Sequence, residues 1–383
     1  MTMAHTTPAL RCAALLATLA AALPAAAQNA PTALNTDRAL QSGHEYLVVA
    51  NRPNNLHVVD LQSNTLYKTC PLPDAFGPGT AQISPDRRTA YILNNRFEDI
   101  YGIDLDTCEV RFRAHMAQAD NERAKAIFSF AISADGKSLY AVQNPTTLHR
   151  DHYRVGEPRF VVYDTAAGLD AKPVRSFPAP RQATVMQAAL DGSGAVYMAG
   201  ANLYRVDPAT GTFTTTLPIR DWQRPGYAPP DVLYAWPIQT PTKDFTLLYT
   251  TARVADASKP ESAEYRYGLL NVNLQTGEAE APEFGPLTEI YFSGVRWPKD
   301  RNIMFGLLHR LAKYDIKAQK LLEAVELEHT YYALLTNASG SRLYLTGTFN
   351  DIAVYDAETL KKVTNVQLPG GDMSLGTGQV FMR

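Results

Sequence analysis

One segment returns along the whole chain: an apolar stretch that closes on Asp and enters a turn. It reads LHVVDLQSNT from Leu56, IYGIDLDTCE from Ile100, FVVYDTAAGL from Phe160 and LYRVDPATGT from Leu203. It continues as LLNVNLQTGE from Leu269, LAKYDIKAQK from Leu311 and IAVYDAETLK from Ile352. The closing residues are Asp60, Asp104, Asp164, Asp207, Asn273, Asp315 and Asp356, spaced 44, 60, 43, 66, 42 and 41 residues apart. Four spacings are nearly uniform and two are stretched by insertions. A fixed period constrains a fold more strongly than length does, because each repeat is one supersecondary unit that must bury its faces against its neighbours. Length alone, at 383 residues, would suggest two or three domains.

A second pattern lies upstream of most of these segments. It appears as ISPDRRTAYIL from Ile83, ISADGKSLYAV from Ile132, LDGSGAVYMAG from Leu190, WPKDRNIMFGL from Trp297 and TNASGSRLYLT from Thr336. Each reads strand, polar turn, strand, with Asp, Asn and Gly placed where their side chains or a positive φ close a tight turn. Repeats of this length holding four short strands predict an all-β, seven-bladed β-propeller. The 25 Pro, 23 Gly and 20 Tyr fit many turns and strands and exclude a helical bundle. The tail LGTGQVFMR from Leu375 is strand-like and unpaired, and the first blade lacks an inner strand. The tail is expected to fill that place and close the ring, which removes exposed edges.

Met1 to Arg11 is polar and ends in a cation, and Cys12 to Leu23 is a short apolar run before small residues. This reads as a cleaved export signal over residues 1–27, too short to span a bilayer, and implies a bacterial periplasm. Residues 28–43 read as an N-terminal extension and 44–383 as the propeller. Cys70 and Cys108 then remain, either bridged in an oxidising compartment or present as two thiols, since sequence does not supply their separation. A net charge of −2 gives no basic field for nucleic acid or an anionic membrane.

The segments joining second to third strands fall on one face of the disc. That face carries Asn51-Arg52-Pro53-Asn54, Asn94-Asn95-Arg96, His309-Arg310, Phe349-Asn350-Asp351 and both long insertions, Asn144 to Arg159 and Ala252 to Tyr265. Loops gathered on a rigid scaffold mark a binding face. Aromatic residues cluster where blades open, at Phe128 and Phe130, Tyr234 and Trp236, Tyr291 and Phe292, and Tyr331 and Tyr332. Most such rings pack between blades, and a minority line a pocket or a partner interface. Phe128, Trp236, Phe292 and Tyr332 are the candidates for that second role. No haem-attachment, phosphate-loop, dinucleotide or nucleophile-elbow motif is present. His149-Arg150-Asp151-His152 offers two imidazoles and a carboxylate without a third ligand at suitable spacing, so it reads as a solvated insertion.

Eight ordered stretches carry a more particular likeness: ANRPNNLHVVD (50–60), KAIFSFAISADGK (125–137), APRQATVMQ (179–187), YAPPDVLYAW (227–236), RYGLLNVNLQTGE (266–278), EIYFSGVRWP (289–298), HTYYALL (329–335), and DIAVYDAETLKK with the following LPGG and MSL. Together the chain resembles the β subunit of quinohemoprotein amine dehydrogenase over nearly its whole mature length. The resemblance implies a propeller without catalytic, metal or cofactor-binding residues of its own, inactive alone. Its expected partners in a heterotrimer are a small subunit bearing cysteine tryptophylquinone and a subunit bearing two c-type haems. The implied reaction oxidises primary amines to aldehydes and ammonia and passes electrons to a periplasmic acceptor. The competing reading is a stand-alone periplasmic propeller, either a lactonase-like hydrolase or a binding module. A hydrolase would need acids, a His or a metal converging on the central channel, whereas the repeated carboxylates belong to outer turns.

Overall fold

The computed structural model describes residues 32–74, 77–233, 242–256, 258–373 and 378–383. The expected export signal lies outside them. Within them the strands form seven antiparallel sheets arranged as a seven-bladed β-propeller. Strands are numbered here from the channel outward. Blade two is the plainest case, with Ala81–Ile83, Thr89–Asn94, Asp99–Asp104 and Val110–His115 in sequential order. Blades four, six and seven repeat that order, opening with Met186–Ala188, Ser293–Trp297 and Ala333–Thr336. Blade five opens with Asp231–Leu233, and two short segments, Ala279–Glu280 and Glu283–Pro286, share the place of its fourth strand.

The repeated Asp has a defined task. Every one of the seven closing residues is the last residue of a third strand. In six of them the side-chain oxygen accepts the backbone N–H two residues on, as Asp60 does from Gln62 at 2.8 Å and Asn273 from Gln275 at 2.9 Å. Asp315 takes the N–H of Ala318 instead, at 2.8 Å. These bonds start the turn into the fourth strand. They also favour the ionised carboxylate, and the N–H of Ala209 holds the Asp207 carboxyl below its usual range.

Blade faces are apolar on both sides, which is why the strands read as continuous apolar runs rather than alternating ones. In Glu45–Asn51, the second strand of blade one, Tyr46, Val48 and Ala50 enter the seam with blade two. Leu47 and Val49 of the same strand enter the seam with blade seven. Each of the seven seams holds its own cluster of buried residues. The core is therefore radial, cut into seven wedges.

Closure occurs where the tail was expected to supply it. Gln379–Met382 is the first strand of blade one and pairs antiparallel with Glu45–Val48. Its ends are held as well: Arg383 N–H donates to the carbonyl of His44 at 2.9 Å, and the Arg383 guanidinium meets Asp106 of blade two. The segment before the propeller also packs on blade one, since Leu34 bridges Thr69 and Tyr67 donates to the carbonyl of Ala39 at 2.7 Å.

The seam between blades one and two carries two further ties. Cys70, in the fourth strand Thr65–Pro71, is joined by a disulfide to Cys108 in the outer turn of blade two, with Cα atoms 5.2 Å apart. Beside it Lys68 is fully buried and donates to three carbonyls, of Arg38, Leu105 and Asp106, at 3.0, 3.0 and 2.9 Å. Burial lowers the pKa of this ammonium. Lys313 likewise ties blade six to blade seven, its ammonium donating to the carbonyl of Glu358 at 3.0 Å while lying over Trp297.

Deleting residues 379–383 should strip the first blade of its inner strand and open the seam with blade seven. Calorimetry should then show the melting temperature falling by about 5 °C or more. An unchanged melting curve would contradict closure by this strand.

Candidate functional site: the upper rim of the ring

First strands run from one face of the disc to the other. The face where they begin also receives the second-to-third joins, and it is called the upper face here. Three of the four sequence candidates occupy one equivalent position on it. Phe292 N–H donates to Leu307 O at 2.9 Å and Tyr332 N–H to Thr346 O at 3.0 Å, one residue ahead of the first strand in blades six and seven. Phe128 holds the corresponding place before Ser129 in blade three, where Val142 N–H donates to the Ser129 carbonyl at 2.9 Å. All three side chains are half-buried. Their sequence neighbours Phe130, Tyr291 and Tyr331 are fully buried between blades. The structure thus separates rim rings from packing rings that the sequence left adjacent. Phe292 and Tyr332 are brought together, with ring centroids 5.1 Å apart. Phe128 instead meets Phe97 at 5.9 Å. Trp236 lies outside the described residues.

Backbone conformation marks the same rim. Phe97, Phe128 and Phe349 have φ of +69°, +59° and +49°, the left-handed region that bulky residues seldom adopt and that costs on the order of 1–3 kcal/mol per residue. Phe349 is 59% exposed, with its ring against His329 at 4.8 Å. Ile127, Tyr153, Tyr265 and Ile290 are also exposed on this face. The two insertions raise it further. Ser138–Leu148 runs past its blade to form a small ladder with Glu122–Lys125 and Tyr153–Val155. Asp244–Arg253 and Glu264–Asn273 form a ten-residue hairpin pairing.

Buried polar groups hold these loops in place. Asp99, fully buried at the start of a third strand, accepts from Asn95 at 2.6 Å and Arg113 at 3.1 Å, and pairs with His115 at 2.5 Å. Asp351, at the same position in blade seven, accepts from the Tyr331 hydroxyl at 2.7 Å and lies 3.0 Å from His329 Nε2. Burial first, then the hydrogen bond to Asp351 and its charge, raise the Tyr331 pKa, so the phenol stays protonated and donates. In blade one the buried His57 contacts Thr69 Oγ1 and Asn51 Oδ1, each at 2.9 Å. Burial pushes its pKa down to about 3. Sequence reasoning named the loops but missed these anchors. The one signal was that charged or polar residues open the third strands.

His149 and His152 stack at 4.4 Å across a tight loop closed by a 2.9 Å backbone bond. Among the described residues no group of three or more His, Cys, Asp or Glu is placed to hold a metal ion. Nor is any helix there long and apolar enough to cross a membrane.

No family model matches this chain, and no curated protein matches it. Solved structures do. Dihydro-heme d1 dehydrogenase NirN in complex with DHE aligns over 87% of this chain and 76% of its own, at 13% identity and a TM-score of 0.52. Apo AztD from Citrobacter koseri covers 88% of this chain and 98% of its own at 10% identity, with a TM-score of 0.50. Kuenenia stuttgartiensis hydrazine synthase covers 82% and 89% at 13% identity, also with a TM-score of 0.50. The likeness is one of fold.

Two outcomes test how the rim is built. Phe292→Ala with Tyr332→Ala should lower unfolding free energy by less than Tyr331→Ala alone, which should cost about 3–5 kcal/mol; denaturant titration compares them. For His57 the folded pKa lies below the unfolded one, so the unfolded chain binds the extra proton between those values. Stability is then full above about pH 6.5 and declines towards pH 3, by up to about 1.4 kcal/mol per pH unit. His57→Gln should flatten that part of the stability–pH curve, and an unchanged slope would show that His57 is not its source.

Proposed function

We propose that this chain is the propeller subunit of a periplasmic quinohemoprotein amine dehydrogenase, a scaffold that carries no redox group and is inactive alone. One observation carries the reading. Of the eight stretches that resemble the family, all but RYGLLNVNLQTGE include part of the upper rim, and most run from it into a first strand. A likeness owed only to the propeller repeat would collect in the outer turns, where the Asp motif lies. Three of the eight carry that motif, while the other five lie where loops, exposed apolar side chains and half-buried rings meet.

The chemistry follows from the division of labour. The partner subunits supply the quinone that oxidises the amine and the haems that remove the electrons. This chain's residues bind and shape. Phe292 and Tyr332, already in mutual contact, would wall an apolar pocket for the amine's alkyl group and exclude water from the reacting carbon, and Phe128 and Trp236 are the further candidates. Asp99 and Asp351, held by their His and Tyr partners, keep the surrounding loops from shifting when a partner docks.

The test is amine-dependent dye reduction by the isolated chain and by the complex reconstituted with a di-haem subunit and a quinone-bearing subunit. The expected result is no turnover by the chain, activity in the complex, and haem copurifying with the tagged protein. Phe292→Ala should shift KM or kcat across n-alkylamine lengths while the complex still assembles. Turnover by the chain alone, or no association with a haem subunit, would falsify the reading in favour of the stand-alone propeller.

A further inference from the structure

We propose that the lower mouth of the central channel binds a small organic carboxylate, with its apolar body inside the channel and its anionic end at the rim. The site lies on the face opposite the aromatic rim and does not depend on the subunit role.

A cavity of about 410 Å³ opens there, within the range of small-molecule sites. Its deeper wall is made by first strands of blades one to four. Gln379 opens its strand on the upper side and Met382 closes it below, so Gln379 lies deeper than Met382. At that depth polar groups are already engaged. Gln82 Nε2 donates to Phe130 O at 2.5 Å, and its contact with Met186 O at 3.4 Å reaches the first strand of blade four. Gln379 Oε1 accepts the N–H of Ile83 at 2.7 Å. What these strands offer a guest is the apolar surface of Ile83, Ile132, Val380 and Phe381. A hydrocarbon or aromatic body fits such a wall, whereas an inorganic anion would leave it wet.

The rim has the opposite character. Lys243 is exposed in the turn before Asp244–Arg253, with φ of +54°, and among the described residues its ammonium pairs with no carboxylate. Arg87, with φ of +63°, donates to the carbonyl of Met382 at 2.7 Å, a neutral partner, and among the described residues it forms no ion pair. Glu45 is the one carboxylate among the described lining residues. It is turned to the backbone, accepting the N–H of Ala338 at 2.5 Å, and burial raises its pKa. The lining thus holds two cations against one engaged carboxylate, and the neighbouring Asp86, Asp135 and Asp191 are turned to their own serine hydroxyls and turn N–H groups. Set beside low-dielectric walls, the two cations favour an anion over water. An alkylammonium of the same length would meet like charge, and a neutral alcohol would lack the anchor.

The experiment is calorimetric titration of the full mature chain, without partners, with octanoate at low ionic strength. Octylamine and octanol serve as controls. Saturable octanoate binding is expected, with Kd on the order of 0.1–1 mM, weakening with added salt. Lys243→Met keeps the bulk and the backbone conformation and should weaken binding about tenfold, and Lys243→Glu should abolish it, both with the fold intact by circular dichroism. Equal binding by Lys243→Met, equal binding of octanol, or no saturable binding of octanoate to the wild-type chain would each overturn the site. Amine turnover by a reconstituted complex should not change in Lys243→Met, so this reading and the subunit reading fail separately.

Discussion

Burial of every inner strand on both of its faces is the constraint on which this molecule rests. A sheet wet on one side can stand alone, but a blade cannot, because both its surfaces are apolar. Leu47 and Val49 need blade seven, and Tyr46, Val48 and Ala50 need blade two. The ring satisfies all seven blades at once and leaves as inner edges only short first strands that face the channel. Seven separate wedges of core follow, together with a rigid disc whose loops are free to diverge.

The two faces of that disc are built differently. Among the described residues the lower turns close on their own Asp, Asn or Ser, as in the pairs Ser84–Asp86 and Ser133–Asp135, and ties such as Lys68 to Asp106 O and Glu45 to Ala338 N–H then cross the seams. The upper loops depend on buried charges and rings reaching between elements, as Asp99 does from Asn95 to His115. A carboxylate desolvated at such a point is costly unless every oxygen is engaged, so these anchors hold one arrangement and resist small shifts. Left-handed phenylalanines sit where that arrangement is imposed. Strain of this kind is retained where position matters more than stability.

The sequence disclosed the ring because its determinants are local. An Asp that bonds the N–H two residues on leaves the same mark in every repeat, and a strand buried on both sides leaves an apolar run. Blade number, the end of each third strand and the closing strand were therefore all legible. The rim was legible only by half. FSF, YF and YY announce aromatic pairs, but which ring of a pair enters a seam and which stays at the mouth depends on the register of the hairpin, as Tyr331 and Tyr332 demonstrate. Partners distant in sequence left no mark at all. Nothing in the text around His57 says that it is buried against Asn51 and Thr69, and nothing near Gln82 points to the Met186 carbonyl.

The chain's order along the ring carries a consequence for how it is made. A polypeptide that emerges from its N-terminal end delivers blade one nearly complete, then each neighbour in turn, so six seams can form in succession. The seventh waits for the last residues, because Gln379–Met382 is the strand that finishes the first blade. Until then Leu47 and Val49 face water, and the growing arc presents one raw flank at each end. Two such arcs could join end to end as readily as one could close. The disulfide and the buried lysine sit at the first seam to form, where they stiffen the earliest pair of blades while the rest of the arc is still to come.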